Sequence, residues 1–387
     1  MTGARFNAGS ELVDSTGDQE RRFARAFRLL EDAIAQRAFP GAALAVTLRG
    51  ALLAWRGFGR FTYDADSEAV TRETVWDLAS LTKAIATTSM AMLLFERGHL
   101  ALDARIVELL PEFADAAQGP GAPADVGHAA EQREWRGAVT VRMLLAHSSG
   151  LPAHRKLYLE ASGREAMLAA ARRVRLESEP GTRSEYSDIG FLVLGELLEQ
   201  IAGEPLDVFC GREVFSPLNS GMRFVLQPDH LMLAPPTVND VEYRGRVVQG
   251  EVNDENASAM GGVAGDAGLF GDAGSVARFA ECLLRGGKPV FRAETVELFT
   301  ARQDGPEGSS RALGWDTPSA PSQSGTMFSA RSFGHLGYTG TSLWCDAERG
   351  LGVTLLTNRT WPDARNQAIR EVRPRVHDAI VRALKNE

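Results

Sequence analysis

The sequence predicts an α+β fold: an antiparallel sheet flanked by N- and C-terminal helices, with a mainly helical lobe inserted between its strands. Three observations predict it. Strand-like segments gather near the two ends of the 387-residue chain, at 42–59 and 332–358. Helical periodicity dominates the middle. Isolated hairpins are marginal in water, so strands from both ends must meet in one sheet. The sheet lobe is expected to take 20–79 and 275–387 and the helical lobe 80–274. A cleft between them is the natural place for a site.

Residues 20–38 read as an amphipathic helix with Phe23, Phe27, Leu30 and Ile34 on one face. Phe39-Pro40-Gly41 stops it. AALAVTLRG and ALLAWRGFG read as a hairpin turning near Arg49-Gly50. Ser80 to Arg97 reads as a helix closed by Gly98, and its interior, AIATTSMAMLLF, is apolar or small nearly all round, as in a buried helix. Asp115 to Gly137 is Gly, Ala, Pro and charge, which predicts an exposed, mobile insertion. Thr140 caps VRMLLAH. Ser187 or Asp188 begins IGFLVLGELLEQIAG, which Gly203 ends. Glycines at 262, 265, 268, 271 and 274 lack the G-x-G-x-x-G spacing of a dinucleotide loop and predict tight turning beside a site or core. SFGHLGY, TSLWCDA and LGVTLLTN supply the later strands, and a helix over about 364–384 closes the chain.

Composition narrows the function. The net charge is −8, which argues against a nucleic-acid surface. No stretch reaches the roughly 18 apolar residues of a membrane span. The polar N-terminus lacks the apolar core of a secretory signal, so a cytoplasmic location is expected. Cys210, Cys282 and Cys345 are few and widely spaced, as in a reduced compartment, and none sits in a nucleophile context. His99, His128, His147, His154, His230, His335 and His377 show no metal-ligand spacing, so no metal or cofactor is implied.

Three short motifs carry chemistry. In Ser80-Leu81-Thr82-Lys83 the two polar side chains lie a helical turn apart on one face. A serine hydroxyl needs a base, and a lysine kept neutral by apolar surroundings can be one. The chain has four lysines, Lys83, Lys156, Lys288 and Lys385, and uses arginine elsewhere; arginine cannot act as a base. A serine opening a helix also offers its own N–H to an oxyanion. Tyr186-Ser187-Asp188 follows a Pro-Gly turn, and a phenol near a cationic lysine can be partly ionised and shuttle a proton. Gly334-His335-Leu336-Gly337-Tyr338-Thr339-Gly340-Thr341 lies on a strand and its turn, with glycines that allow close approach. His147-Ser148-Ser149-Gly150 reads as a structural loop.

In this order the motifs resemble the S-x-x-K, Y-x-N and K-T-G or H-T-G series of class C β-lactamases and the related D,D-peptidases and serine esterases; the class A series differs at the middle motif. LASLTKAIAT, LLAHSSGLP, EPGTRSEYSDIGFLVLGE, GGVAGDAGLF and TSLWCDAERGLGVTLLTNR resemble the same family, and the resemblance runs from about 25 to 385. It implies the β-lactamase-like fold, Ser80 as the acylated nucleophile, Lys83 as base and Tyr186 in proton transfer. It also implies His335 near the substrate's anionic or polar end and an oxyanion hole from the amides of Ser80 and Tyr338. Asp188, Leu336, Gly337 and Tyr338 would line the substrate site. Three positions depart from the pattern. Asp188 replaces asparagine, Leu336 replaces a threonine that helps hold a substrate carboxylate, and Asp266 stands where histidine is expected.

The function expected is therefore hydrolysis of a small acyl substrate, an ester, amide or β-lactam, through acyl-Ser80. Esterase or D,D-peptidase action competes with β-lactamase action. A non-catalytic ligand-binding relative is the alternative outside enzymes.

Overall fold

The computed structural model describes residues 12–115 and 126–385. Ten strands occur among them: β1 (Val13–Asp14), β2 (Gly41–Leu48), β3 (Ala51–Gly59), β4 (Trp76–Asp77), β5 (Val238–Asp240), β6 (Arg246–Val248), β7 (Phe270–Gly271), β8 (Ser332–Leu336), β9 (Ser342–Asp346) and β10 (Leu351–Thr357). Six form the main sheet, in the order β1-β3-β2-β10-β9-β8. Every pair in it is antiparallel except β1 with β3. The first hairpin turns at Arg49-Gly50, both at positive φ (48° and 93°), as a two-residue hairpin turn requires. The joint between the chain ends is β2 against β10, with Val46 opposite Val353 and Leu44 opposite Leu355.

Strand β2 is buried from Gly41 to Thr47 and apolar except for Thr47, because both faces of the sheet are covered. Its alternate residues divide between two cores. Ala42, Leu44 and Val46 join Phe23, Phe27, Leu30 and Ile380, the faces of the terminal helices Ala24–Ala35 and Ile369–Lys385. Ala43 and Ala45 join the larger core, which includes the helix Ala273–Leu284 and the inserted helices.

Local signals set the helix ends. Ser187 Oγ accepts from the Gly190 amide at 2.9 Å, and Gly203 closes the helix Asp188–Ala202 at φ 71°. Thr140 caps Val141–Leu145 and Asp272 caps Ala273–Leu284. The first helix breaks at Phe23 and ends at Ala35. The last begins at Ile369 rather than 364, because Arg359 holds the carbonyls of Ala364 and Asn366 in a loop.

One expectation needs correction. Within the segment read as a mobile insertion, residues 116–125 lie outside those described, but Val126–Ala138 is a helix. Polar side chains anchor it. Arg136 is 1% exposed and donates to the carbonyls of Phe113, Arg172 and Val174, and Gln132 exchanges two hydrogen bonds with the backbone of Leu176. Among the described residues no helix is long and apolar enough to cross a membrane. The three cysteines are free and buried, and burial pushes their thiols well above the usual range.

Arg136→Met should strand three carbonyls and destabilise the protein by about 3 kcal/mol, given roughly 1–3 kcal/mol for each buried group left unpaired. The shift in urea midpoint checks this.

Candidate active site

Ser80 is carried on a tight loop that both sheets fix. Asp77, at the end of β4, accepts from the amides of Ala79 (2.8 Å) and Asn253 (2.6 Å). Thr339 Oγ1 donates to the Asp77 carbonyl at 2.9 Å and Thr341 Oγ1 to the Leu78 carbonyl at 3.0 Å. Gly337 makes this approach possible: a Cβ there would lie 2.0 Å from Thr341 Oγ1 and 2.7 Å from the Leu78 carbonyl oxygen. The close approach is thus to the serine loop itself. Ala79 is held at φ 48°, a conformation that costs an L-residue about 1–2 kcal/mol. Among the described residues nothing accepts from the backbone N–H of Ser80 or of Tyr338.

Lys83 follows in a wide, π-type helical turn, Lys83–Thr87, that leads into the helix Thr88–Glu96. Its Nζ lies 3.0 Å from Ser80 Oγ and 2.9 Å from the Asp266 carbonyl. The side chain is fully buried, as its apolar helix suggests, yet the expectation of a neutral amine is overturned. Asp188 Oδ1 lies 2.7 Å from Nζ. Burial favours the neutral lysine, but the charge of Asp188, supported by Tyr186 and Asp266, outweighs it and raises the Lys83 pKa. Burial would raise Asp188 too, but Lys83 and His154 hold it down at about 2. Asp188, expected to touch substrate, lines the cleft and is also engaged through both oxygens, Oδ2 lying 3.6 Å from His154 Nδ1.

Tyr186 also differs from expectation. Its hydroxyl contacts Ser80 and Lys83, but burial, with help from Asp188, raises its pKa despite Lys83, so the phenol stays neutral. Its ring lies 5.1 Å from Lys83 Nζ and against His147 and His335. His147, at φ 56°, accepts from the Ser187 amide through Nδ1 and orders the loop before the helix. His335 is buried, and desolvation together with Lys83 and Arg311 lowers it to about 3. Its Nδ1 donates to the Leu336 carbonyl at 2.8 Å, leaving Nε2 as a buried lone pair without a partner. It is a neutral acceptor rather than a cation for an anionic group.

These residues open on a cleft of about 1670 Å³ that Leu336, Gly337 and Tyr338 also line, the last 57% exposed. Sequence reasoning missed three contributors, Asp254, His154 and Arg311, and singled out Asp266 without giving it a role. Asp254 is half-buried, and desolvation pushes it up to about 6. The Asp266 carboxyl is sealed, and desolvation raises it well above its usual value. His154 and Arg311 line the cleft. The Arg311 guanidinium lies 5.3 Å from the Tyr186 ring centre and has Asp316 only at 3.9 Å. By contrast, Arg359 and Arg373 are committed to backbone carbonyls. His154 sat in a segment with no motif. The departure at Asp188 was the one available signal, since an acid replacing an amide opposite a lysine is a counter-ion. Donor atoms of His154, Asp188 and Asp254 lie within 4.8 Å of one another, and of the three Asp188 is already paired with Lys83.

Comparison with known proteins shows the family and the fold. Residues 26–375 match the family described as Beta-lactamase. A putative D-alanyl-D-alanine carboxypeptidase of Escherichia coli K12 is 31% identical over 322 residues, 75% of this chain and 70% of that protein. An N-acetylmuramyl-L-alanine amidase of Bacillus subtilis 168 is 30% identical over 355 residues, 83% of this chain and 77% of its own. The crystal structure of a class C β-lactamase from Rhodobacter sphaeroides superposes with a TM-score of 0.69 at 18% identity, covering 93% of this chain and 99% of that one. The chain therefore belongs to the β-lactamase family and is a serine hydrolase with the β-lactamase-like fold.

Proposed function

We propose that the protein hydrolyses small amides or esters through an acyl-Ser80 intermediate, and that it prefers donors with a free carboxylate beside the scissile bond. The observation that carries the reading is the 3.0 Å approach of Lys83 Nζ to Ser80 Oγ beside two undonated amides. Once Lys83 has lost a proton, it takes the proton of Ser80 as Oγ attacks the acyl carbon. The Ser80 and Tyr338 amides receive the oxyanion. The neutral Tyr186 phenol, refilled by Lys83, protonates the leaving group as its bond to the acyl carbon breaks. Water then attacks the acyl carbon and frees Ser80.

The carboxylate preference rests on Arg311, which among the described residues has Asp316 as its ion-pair partner, at no closer than 3.9 Å. Leu336 supplies no hydroxyl for that task, and His335 supplies no charge. Both curated relatives are named for amides of alanine, which is in keeping with an amino-acid leaving group. An active enzyme accounts for the serine–lysine geometry better than the non-catalytic alternative.

Ser80→Ala should abolish turnover, and a fluorophosphonate should add its mass to Ser80 of the unaltered protein and to no other residue; absence of labelling would sink the reading. Arg311→Gln should reduce kcat/KM for a carboxylate-bearing acyl dipeptide, relative to its methyl ester, by about ten- to hundredfold, the worth of one charge-assisted hydrogen bond. Asp188→Asn removes the charge that holds the proton on Lys83. The acid limb of kcat/KM on a nitrophenyl ester should then move to lower pH, by about 2 units.

A further inference from the structure

The contacts around Lys83 continue past it to the solvent. Ser80 Oγ, Lys83 Nζ, the Asp188 carboxylate and His154 Nδ1 follow one another at 3.0, 2.7 and 3.6 Å. The inner end is closed, since the Lys83 side chain is fully buried, and the outer end is open, since the His154 side chain is 39% exposed on the cleft. The other acid beside Lys83, Asp266, is sealed and leads nowhere.

We propose that Asp188 and His154 form the exit by which Lys83 loses its proton to solvent between turnovers on esters. Both act through Lys83, as positioning residues for its proton, and neither touches substrate. The proposal rests on the acyl-Ser80 reading. Ester hydrolysis consumes one water and yields an alcohol, a carboxylate and one proton. The acid product ionises against the neutral Lys83 amine and leaves the ammonium paired with Asp188. To reset it, an Nζ–H bond breaks as an O–H bond forms on Asp188. Across the remaining 3.6 Å a bridging water carries the proton: the Asp188 O–H bond breaks as the water accepts, and a water O–H bond breaks as an N–H bond forms on His154 Nδ1. His154 then gives a proton from Nε2 to water. An amide needs the exit less, because its amine product carries the proton away.

The surroundings suit the task. His154 faces Asp188, Asp254 and Glu255, and the bond to Asp188 raises its pKa above 6.5. Asp188 in turn faces Lys83 and His154, with Asp254 and Asp266 close enough to feel its charge.

The test measures nitrophenyl ester turnover in dilute non-imidazole buffer for the unaltered protein, His154→Ala, His154→Gln and Asp188→Asn. Both His154 variants should lose at least about tenfold in kcat, short of the ~10²–10⁴ of direct proton transfer to substrate. Added imidazole should restore His154→Ala in proportion to its concentration, and substituted imidazoles in order of their basicity. Asp188→Asn, which cuts the line before His154, should gain nothing from imidazole. A His154→Ala protein with unchanged kcat would overturn the proposal, as would one that imidazole does not restore while its circular dichroism and Tm match the unaltered protein. Fluorophosphonate labelling keeps the two readings apart: Ser80 labelled with no imidazole effect removes the exit alone, whereas Ser80 unlabelled removes the acyl-enzyme reading.

Discussion

A buried ammonium beside a carboxylate governs this site. Removing both charges from water costs several kcal/mol per ion, and their attraction offsets that only with close geometry and further hydrogen bonds. The protein supplies both. Lys83 has Asp188 at 2.7 Å, the Asp266 carbonyl at 2.9 Å and Ser80 at 3.0 Å. Holding the 265–266 backbone against this turn in turn requires small residues. Thr87 Oγ1 donates to the Gly265 carbonyl, and a Cβ on Gly265 would lie 2.1 Å from the Phe191 carbonyl oxygen on the helix that delivers Asp188. The closely packed glycine segment and the ion pair therefore stand together.

Burying several acids around one lysine raises the question of where the negative charge rests. Asp77, Asp254 and Asp266 are all raised by desolvation, while Asp188 alone is depressed. Asp188 is therefore the acid that carries the charge opposite Lys83, while Asp77 and Asp254 accept hydrogen bonds from backbone amides. Asp77 in that role ties the serine loop to the segment at 253, and Asp254 caps the short helix that follows it.

Much of this was legible in the sequence, for identifiable reasons. The sheet strands announce themselves by apolar content, turn residues and alternation, and the Ser80–Lys83 spacing fixes a shared helix face by geometry alone. The charge state of Lys83 was not legible. An apolar helix speaks only of desolvation, and the group that reverses its effect arrives from another helix. The helix Val126–Ala138 was hidden because its anchors are Arg136 and Gln132 bonded to carbonyls, which leave no hydrophobic periodicity to read. Thr339 and Thr341 were visible within a motif, but their hydroxyls act on the loop at 77–78, a contact that spacing along the chain does not reveal.

The sheet order has a consequence for biosynthesis. The N-terminal hairpin finds its central neighbour, β10, roughly 300 residues later. At the usual ~5–20 residues per second of translation, that hairpin waits on the ribosome for about 15–60 s with one long edge unpaired. Unpaired edges template association with other chains. Nascent copies of this protein should therefore need shielding by a chaperone until the last strand emerges, and truncation before residue 351 should yield aggregates rather than a smaller folded unit.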